Sequence, residues 1–329
     1  MVRHPAISVL MPVHNGEPFV AQAMESVLEQ GFGDFELIVV DDGSQDATAA
    51  LLADYAARDE RVRVVRQPVA EGLTRSLNRS LALARGDLIA RMDADDVCLP
   101  NRFEQQVEQL MRQPHLAAIG AAVEFIDHDG VRTGAWHPPV SRPEVLWQLI
   151  GGSPIPHPAA MIRRAWLHRL GGYDEAYRYA QDYDLWRRIV QHGGQLSNVR
   201  KALLRYRAHP AQASQSRRRA QAASAAAIAR RYLQWLVNHP LDDRTAEALR
   251  TVLTRGTLAA EPWDGRQLAV LVRQVLAGLQ REMPGVDLSE QRRRARKRVL
   301  RAVRRNCWRA PTQSARLALA YLEARPPQE

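Results

Sequence analysis

Short apolar runs that end in aspartates constrain this chain more than any other feature. Glu36-Leu-Ile-Val-Val40 runs directly into Asp41 and Asp42, and Leu88-Ile-Ala90 is soon followed by Asp93, Asp95 and Asp96. Both runs read as buried strands. In an open α/β sheet, ligands bind beyond the carboxyl ends of the strands. Carboxylates crowded at such an end repel one another unless a cation or a donor network sits between them. Mg²⁺ or Mn²⁺, held by one or two carboxylates plus substrate phosphates, suits such a place. The plainer alternative is a solvated acidic turn before the helix that Pro100 and Asn101 open, and Asp-x-Asp alone does not choose between them.

The neighbouring segments supply the rest of a sheet. Ile7-Ser-Val-Leu-Met11 is a strand stopped by Pro12, and His14 to Pro18 is a turn. A helix follows over about 19–30, with apolar residues at Val20, Ala23, Met24, Val27 and Leu28, and Gly31 ends it. After the second strand, Ser44 or Asp46 caps a helix over about 47–57. A third strand at 62–65 and a third helix at 73–84 lead to the strand at Leu88. Strand–helix alternation with short connections predicts an α/β fold with a mostly parallel sheet covered by helices on both faces. A helix over 102–113, a strand over 117–126 and a strand near 159–162 extend it. Residues 134–158, rich in Pro, Gly and Trp, read as an irregular loop suited to wall a site. No Gly-x-Gly-x-x-Gly follows the first strand and no Gly-Lys-Ser/Thr loop occurs, which argues against a dinucleotide fold and a P-loop NTPase.

Two further residues stand out. Asp182 falls in the first turn of an amphipathic helix over 180–189. There a carboxylate is either a favourable helix-start residue or something more. His209 precedes Pro210 in a loop, where a lone histidine is usually just exposed.

Seven segments, in order, resemble family 2 glycosyltransferases of the GT-A fold. They are Ile7–Gly16, Glu36–Ser44, Glu71-Gly-Leu-Thr-Arg-Ser-Leu-Asn78, Ala90-Arg-Met-Asp-Ala-Asp-Asp96, His157-Pro158, Gln181-Asp-Tyr-Asp-Leu-Trp186 and Tyr206-Arg-Ala-His-Pro210. The resemblance covers residues 7 to 214 and implies a catalytic domain over 1–214. It implies that Pro12, His14 and Asp42 line the nucleotide pocket, with Arg75 near the diphosphate. Asp93 would meet the ribose and Asp95 a Mn²⁺ or Mg²⁺ ion, with His209 completing the metal site. Asp182 would be the catalytic base. The implied activity is inverting transfer of a sugar from a nucleotide-sugar donor, a UDP-sugar above all, to a saccharide or lipid-linked acceptor in polysaccharide synthesis. Where the family often has Glu-Asp, this chain has Gln181-Asp182. The Gln-x-x-Arg-Trp element and membrane spans of processive synthases are missing, so transfer of one or few sugars is expected. A non-catalytic sugar-nucleotide-binding protein, or a nucleotidyltransferase, on the same sheet are the alternatives.

The remaining third differs in charge. Residues 1–213 carry 23 Lys/Arg against 26 Asp/Glu, whereas residues 214–329 carry 23 against 10. Such asymmetry marks parts with different partners. Helices are expected over 217–237, 245–255 and 267–280, and Asp287-Leu-Ser-Glu290 fits a capping box. It opens a basic helix over 291–309 with a thin apolar stripe at Ala295, Val299, Ala302 and Val303. Residues 215–329 thus read as a helical, basic region. Its charge fits a solvated bundle face, a surface for anionic lipid or nucleic acid, the last without any recognition motif. Cys98 and Cys307 suggest neither a disulfide framework nor a zinc site. With no long apolar run and no signal-type segment near the start, a cytoplasmic enzyme, possible also at the inner membrane face, is expected.

Overall fold

A computed structural model of the protein describes residues 4–208, 218–258, 264–306 and 311–323. The chain divides into two compact units, Met1–Arg142 with Pro154–Gln221 and Pro143–Ser153 with Ala222–Glu329.

The first unit is built on the apolar runs. Strands β1 (Ile7–Val13), β2 (Phe35–Asp42) and β4 (Leu88–Arg91) are buried along their whole length. Both faces must therefore be covered, and the intervening helices α1 (Val20–Leu28), α2 (Thr48–Arg58) and α3 (Leu73–Leu83) supply that cover. β1 pairs in parallel with β2 and β4, and β2 with β3 (Val62–Gln67). Parallel pairing brings the carboxyl ends of these strands, and the aspartates behind them, to one edge.

The sheet continues with β5 (Val97–Cys98), β6 (Leu116–Ile126), β7 (Arg132–Trp136), β8 (Met161–Arg163) and β9 (Gln195–Arg207). Its order is β3-β2-β1-β4-β8-β6-β9-β5, with β7 paired to β6. β8 is antiparallel to both β4 and β6, and β9 is parallel to β6. The carboxyl ends of β6 and β9 therefore return to the edge where β4 ends. Helix α4 (Arg102–Arg112) precedes β6, and α6 (Arg164–Arg169) and α7 (Gln181–Gln191) lie between β8 and β9.

Two stretches differ from the reading of the sequence. β9 has no clean alternation because its register against β6 shifts at Leu116/Ala118, Ala121/Ala122 and Ala122/Val123. Such irregularities erase the period-two signal. The stretch 134–158 is not one irregular loop. It begins in β7, contains helix α5 (Arg142–Gln148) and ends in a 3-10 turn at His157–Ala159. Pro143 sits in the first turn of α5, where a missing N–H costs nothing, and Val145 and Leu146 are buried.

The second unit contains α5 and the helices α8 (Arg218–Val237), α9 (Asp243–Arg255), α10 (Gly265–Glu282), α11 (Ser289–Asn306) and α12 (Pro311–Glu323). Asp242 caps α9 by accepting from the Thr245 amide at 2.9 Å. α8 and α10 meet at Gly278, where a Cβ would lie 2.2 Å from the Leu236 carbonyl oxygen. Only glycine permits that approach. Tyr232, Leu249, Val252, Val275, Leu279 and Val299 form the buried interior. Tyr232 donates its hydroxyl to the Leu146 carbonyl at 3.0 Å. No described helix is long and apolar enough to cross a membrane.

Candidate active site

The end of β2 is held mainly by backbone amides, with Asp41 Oδ2 buried without a hydrogen bond, 3.6 Å from Arg66 Nε. Asp41, buried, accepts from the Ser44 amide at 2.9 Å. Asp42, 5% exposed, accepts from the Glu71 amide at 2.7 Å and the Gly72 amide at 2.8 Å, one on each oxygen. Gln67 Nε2 approaches its Oδ1 at 3.3 Å. The turn between strand and helix needs glycine: Gly43 has φ +69°, and a Cβ there would lie 2.7 Å from the Ala70 nitrogen. The loop after β1 locks onto this turn. The Asn15 amide donates to Ser44 Oγ at 2.9 Å, the Gly16 amide to Thr48 Oγ1 at 2.8 Å, and His14 Nδ1 lies 2.7 Å from the Asp42 carbonyl. Pro12 pairs in register with Val40. Pro12, His14 and Asp42 thus lie together at the ends of two adjacent strands.

The end of β4 is held differently. Asp93, Asp95 and Asp96 offer carboxylate oxygens that all lie within 4.8 Å of one another. Asp93 forms an ion pair with Arg91, which is 1% exposed. Burial works against the Arg91 charge, but Asp93 outweighs it and holds the guanidinium more firmly protonated than usual. Asp96 is also 1% exposed, and burial together with the charges of Asp93 and Asp95 pushes its carboxyl well up. Asp96 Oδ1 accepts from the Arg207 amide at 2.8 Å, while its Oδ2 is buried without a hydrogen bond.

Arg207, at the end of β9, organises this loop. Its guanidinium donates to the Asp95 carbonyl at 2.9 Å, the His128 carbonyl at 2.8 Å and Gln22 Oε1 at 2.6 Å. It also lies 4.5 Å over the Phe19 ring. Crowded carboxylates, an orphaned buried oxygen and a set of hard oxygen donors fit a divalent cation such as Mg²⁺ or Mn²⁺. Asp95 would hold it, with Asp93 and Asp96 alongside.

A buried polar group connects this end to α7. His157, 8% exposed, sits 2.9 Å from the Tyr173 hydroxyl and edge-on to Trp186. Burial and the nearby Arg91 charge hold the imidazole well below its ordinary value, so it is neutral. Burial pushes the Tyr173 phenol up, against the pull of Arg91, and the charge of Asp182 adds to the rise. Tyr173 therefore feels the charges of both Arg91 and Asp182. Two acidic positions almost 90 residues apart in sequence are brought into one electrostatic neighbourhood.

Within α7 the two aspartates have separate tasks. Asp184 is fully buried, and its oxygens take Arg187 at 2.5 Å and Arg188 at 2.6 Å. Arg188 in turn donates to the Leu170 and Gly172 carbonyls. Asp182 is partly exposed, in the first turn of the helix. It is the carboxylate of this turn that solvent, or an acceptor, can reach.

Arg75 lies on the first turn of α3 with its side chain 58% exposed, and pairs with Glu175 at 3.1 Å. It is not among the residues that hold the acidic cluster. Asn78, on the same helix, clamps the segment before α7 by bonding both the amide and the carbonyl of Tyr173 at 2.9 Å. His209 lies outside the described residues, as do Cys307, Trp308 and the boundary expected at 214. Arg91, Arg207, Tyr173 and Asn78 were not singled out from sequence. The signal available for the first was its place one residue before a run of acids, in a strand otherwise apolar.

Comparison with known proteins follows the same geometry. The family described as "Glycosyl transferase family 2" matches residues 8–171. The provisionally named glycosyltransferase EpsE of Bacillus subtilis (strain 168) is 34% identical over 206 residues, 62% of this chain and 73% of its own. The O-antigen biosynthesis glycosyltransferase WbnJ of Escherichia coli is 31% identical, over 62% of this chain and 80% of its own. Among solved structures, the mannosyltransferase PcManGT from Pyrobaculum calidifontis, in complex with GDP-Man and Mn²⁺, superposes with a TM-score of 0.56. That likeness, at 17% identity, spans 98% of this chain and 87% of that one, and concerns the fold.

Proposed function

Since the chain belongs to glycosyl transferase family 2 and is a glycosyltransferase of the GT-A fold, we propose that it inverts the anomeric carbon while moving one sugar from a UDP-sugar. The acceptor is a hydroxyl of a saccharide or lipid-linked glycan, in cell-surface polysaccharide synthesis. The observation that carries this reading is the electrostatic chain from Asp93 through Arg91 and Tyr173 to Asp182. It supports a cation site and a reachable carboxylate that act within one electrostatic neighbourhood.

The residues divide the work as follows. Pro12, His14 and Asp42 wall the base and ribose of the nucleotide. Asp42 still has lone pairs beyond those that its two backbone donors use. Asp93, fixed by Arg91, meets the ribose. Asp95 would hold the divalent ion, with Arg207 holding the loop that carries Asp95. Once bound, the ion neutralises the charge that develops on the departing diphosphate. Asp182 accepts the proton of the acceptor hydroxyl as its oxygen bonds to the anomeric carbon. The bond from that carbon to the diphosphate oxygen breaks on the opposite face, and the nucleoside diphosphate leaves with the electron pair. His157, neutral and bonded to Tyr173, keeps a second charge away from the base. Roles for Arg75 beside the diphosphate and His209 at the metal rest on the family resemblance.

Support for a nucleotide-sugar donor and a divalent ion comes from the GDP-Man and Mn²⁺ bound by PcManGT, and for a polysaccharide product from the O-antigen role of WbnJ. Calorimetry with UDP-, GDP- and dTDP-sugars, with and without Mn²⁺, tests the donor assignment. Asp182→Asn is expected to keep nucleotide binding and to lower turnover about 10³-fold, within the range for loss of a general base. Unchanged turnover would remove Asp182 from that role. Release of pyrophosphate instead of nucleoside diphosphate would point to a nucleotidyltransferase.

A further inference from the structure

The solvent face of α11 has no part in the site described above. Of the eight exposed residues between Arg292 and Arg305, seven are Arg or Lys and none is acidic; the eighth is Leu300, 40% exposed. The opposite face is spent on packing, with Ala295, Val299 and Ala302 buried in the helical unit. The thin apolar stripe visible in the sequence therefore cannot be what meets a partner, and the charge is what remains. Arg294, on the flank, is paired with Glu290 and Glu144. Along the exposed face, by contrast, Arg292 and Arg296, Arg293 and Lys297, and Lys297 and Arg301 stand four residues apart with like charge, an arrangement that works against the helix. A polyanion outside the folded unit would relieve that repulsion.

We propose that this face docks the protein on an anionic phospholipid surface. Five of the seven cations, Arg293, Arg296, Lys297, Arg301 and Arg304, fall within about 140° of one another on the circumference and extend over about 17 Å, at 3.6 residues per turn and 1.5 Å per residue. A line of charge on one side of a rod can meet a plane of phosphodiester headgroups along its whole length. Six of the seven are arginines, charged at any working pH, and Leu300 stands among them where an apolar side chain can enter the headgroup layer. The face has no aromatic residue on which the bases of a single strand could stack. The proposal stands on the helix alone and does not depend on the assignment of donor or base. If both hold, a lipid-linked acceptor would be met at the surface that carries it.

Flotation of the full chain with vesicles tests it. Binding is expected to vesicles containing about one-third phosphatidylglycerol and not to phosphatidylcholine alone. It should be lost near 1 M salt, where the screening length falls to about 3 Å. The variant Arg293→Gln/Lys297→Gln/Arg305→Gln should partition on the order of 100-fold less, about fivefold per basic residue removed. Arg293→Lys/Arg305→Lys should float like the parent. Removing three exposed arginines of the other unit, Arg58→Gln/Arg63→Gln/Arg112→Gln, should cost at most a few-fold, which separates the face from net charge. Thermal melting identical to the parent guards against misfolding, and the salt series on the parent tests the electrostatic origin without any variant. Equal binding to both vesicle types, or triple α11 variants that float like the parent, would overturn the proposal. Tighter binding to a single-stranded RNA than to the vesicles, lost in the same variants, would reassign the face to nucleic acid.

Discussion

The ends of β2 and β4 carry almost the same letters, Asp41-Asp42 and Asp93-Ala-Asp95-Asp96, and the fold treats them in opposite ways. Behind β2 the carboxylates are held mostly by neutral donors, the amides of Ser44, Glu71 and Gly72, with only the exposed Arg66 near Asp41 at 3.6 Å. Behind β4 they are held by charge and backbone reach, through Arg91 and Arg207, and three of them remain crowded within 4.8 Å. A carboxylate bonded to amides fixes the shape of a loop and keeps lone pairs for a neutral donor. An unbonded buried oxygen occurs at both ends, on Asp41 and on Asp96, so it is the crowding of three carboxylates that poises the β4 end for a cation.

The largest expected effect breaks the comparison at β4. Asp95→Asn should lower metal-dependent sugar transfer by about 10²–10³-fold, the order of several kcal/mol attributed to a metal at a departing phosphate. The same change should leave the metal-free protein as stable as the parent or slightly more so, because one member of a repelling trio is neutralised. Transfer assays beside urea melts read both quantities. A marked loss of stability in Asp95→Asn would mean that the β4 end is a structural cage like the other.

The next effect breaks it at β2. Asp42→Ala removes the acceptor of the Glu71 and Gly72 amides, so it should cost about 2–3 kcal/mol of folding stability, the price of two donors left without a charged partner. The urea midpoint, compared with that of Asp95→Asn, is the measurement. If Asp42→Ala melts like the parent, the amide cage contributes shape only when nucleotide is bound.

This contrast also says how much was readable beforehand. The parallel strands and the acids behind them were legible because a strand buried on both faces leaves a continuous apolar run, and the turn that follows is adjacent in sequence. The difference between the two acid clusters was not legible. It depends on Glu71 and Gly72 reaching Asp42 from about 30 residues away, and on Arg207 reaching Asp95 and Asp96 from over 110. An arginine such as Arg91 inside a short strand reads as an exposed or edge residue, and only the fold reveals it as a buried counter-ion. Asp182 and Asp184 look alike at the start of one helix; the ion pairs of Asp184 separate them. β9 was hidden by its own register shifts.

The smallest effect sharpens the comparison by asking whether buried charge really distinguishes the β4 end. His157 is neutral because it is buried and because Arg91 is charged. Its folded value lies below the ordinary 6.5, so the unfolded chain takes up a proton there that the folded chain refuses. Stability contributed by this histidine is therefore complete above about pH 6.5 and drains away as pH falls toward the lowered folded value, with a slope of at most about 1.4 kcal/mol per pH unit for one proton. His157→Gln should flatten the stability profile of the parent between about pH 6.5 and 5 by up to that slope. Arg91→Met removes the charge that depresses the imidazole, so its profile should begin to fall in the same place but level off at a higher pH, closer to 6.5. Denaturant melts across this range for the parent and both variants decide the matter. Identical profiles for the parent and Arg91→Met would mean that burial alone neutralises His157, and that the charge of Arg91 is spent entirely on Asp93.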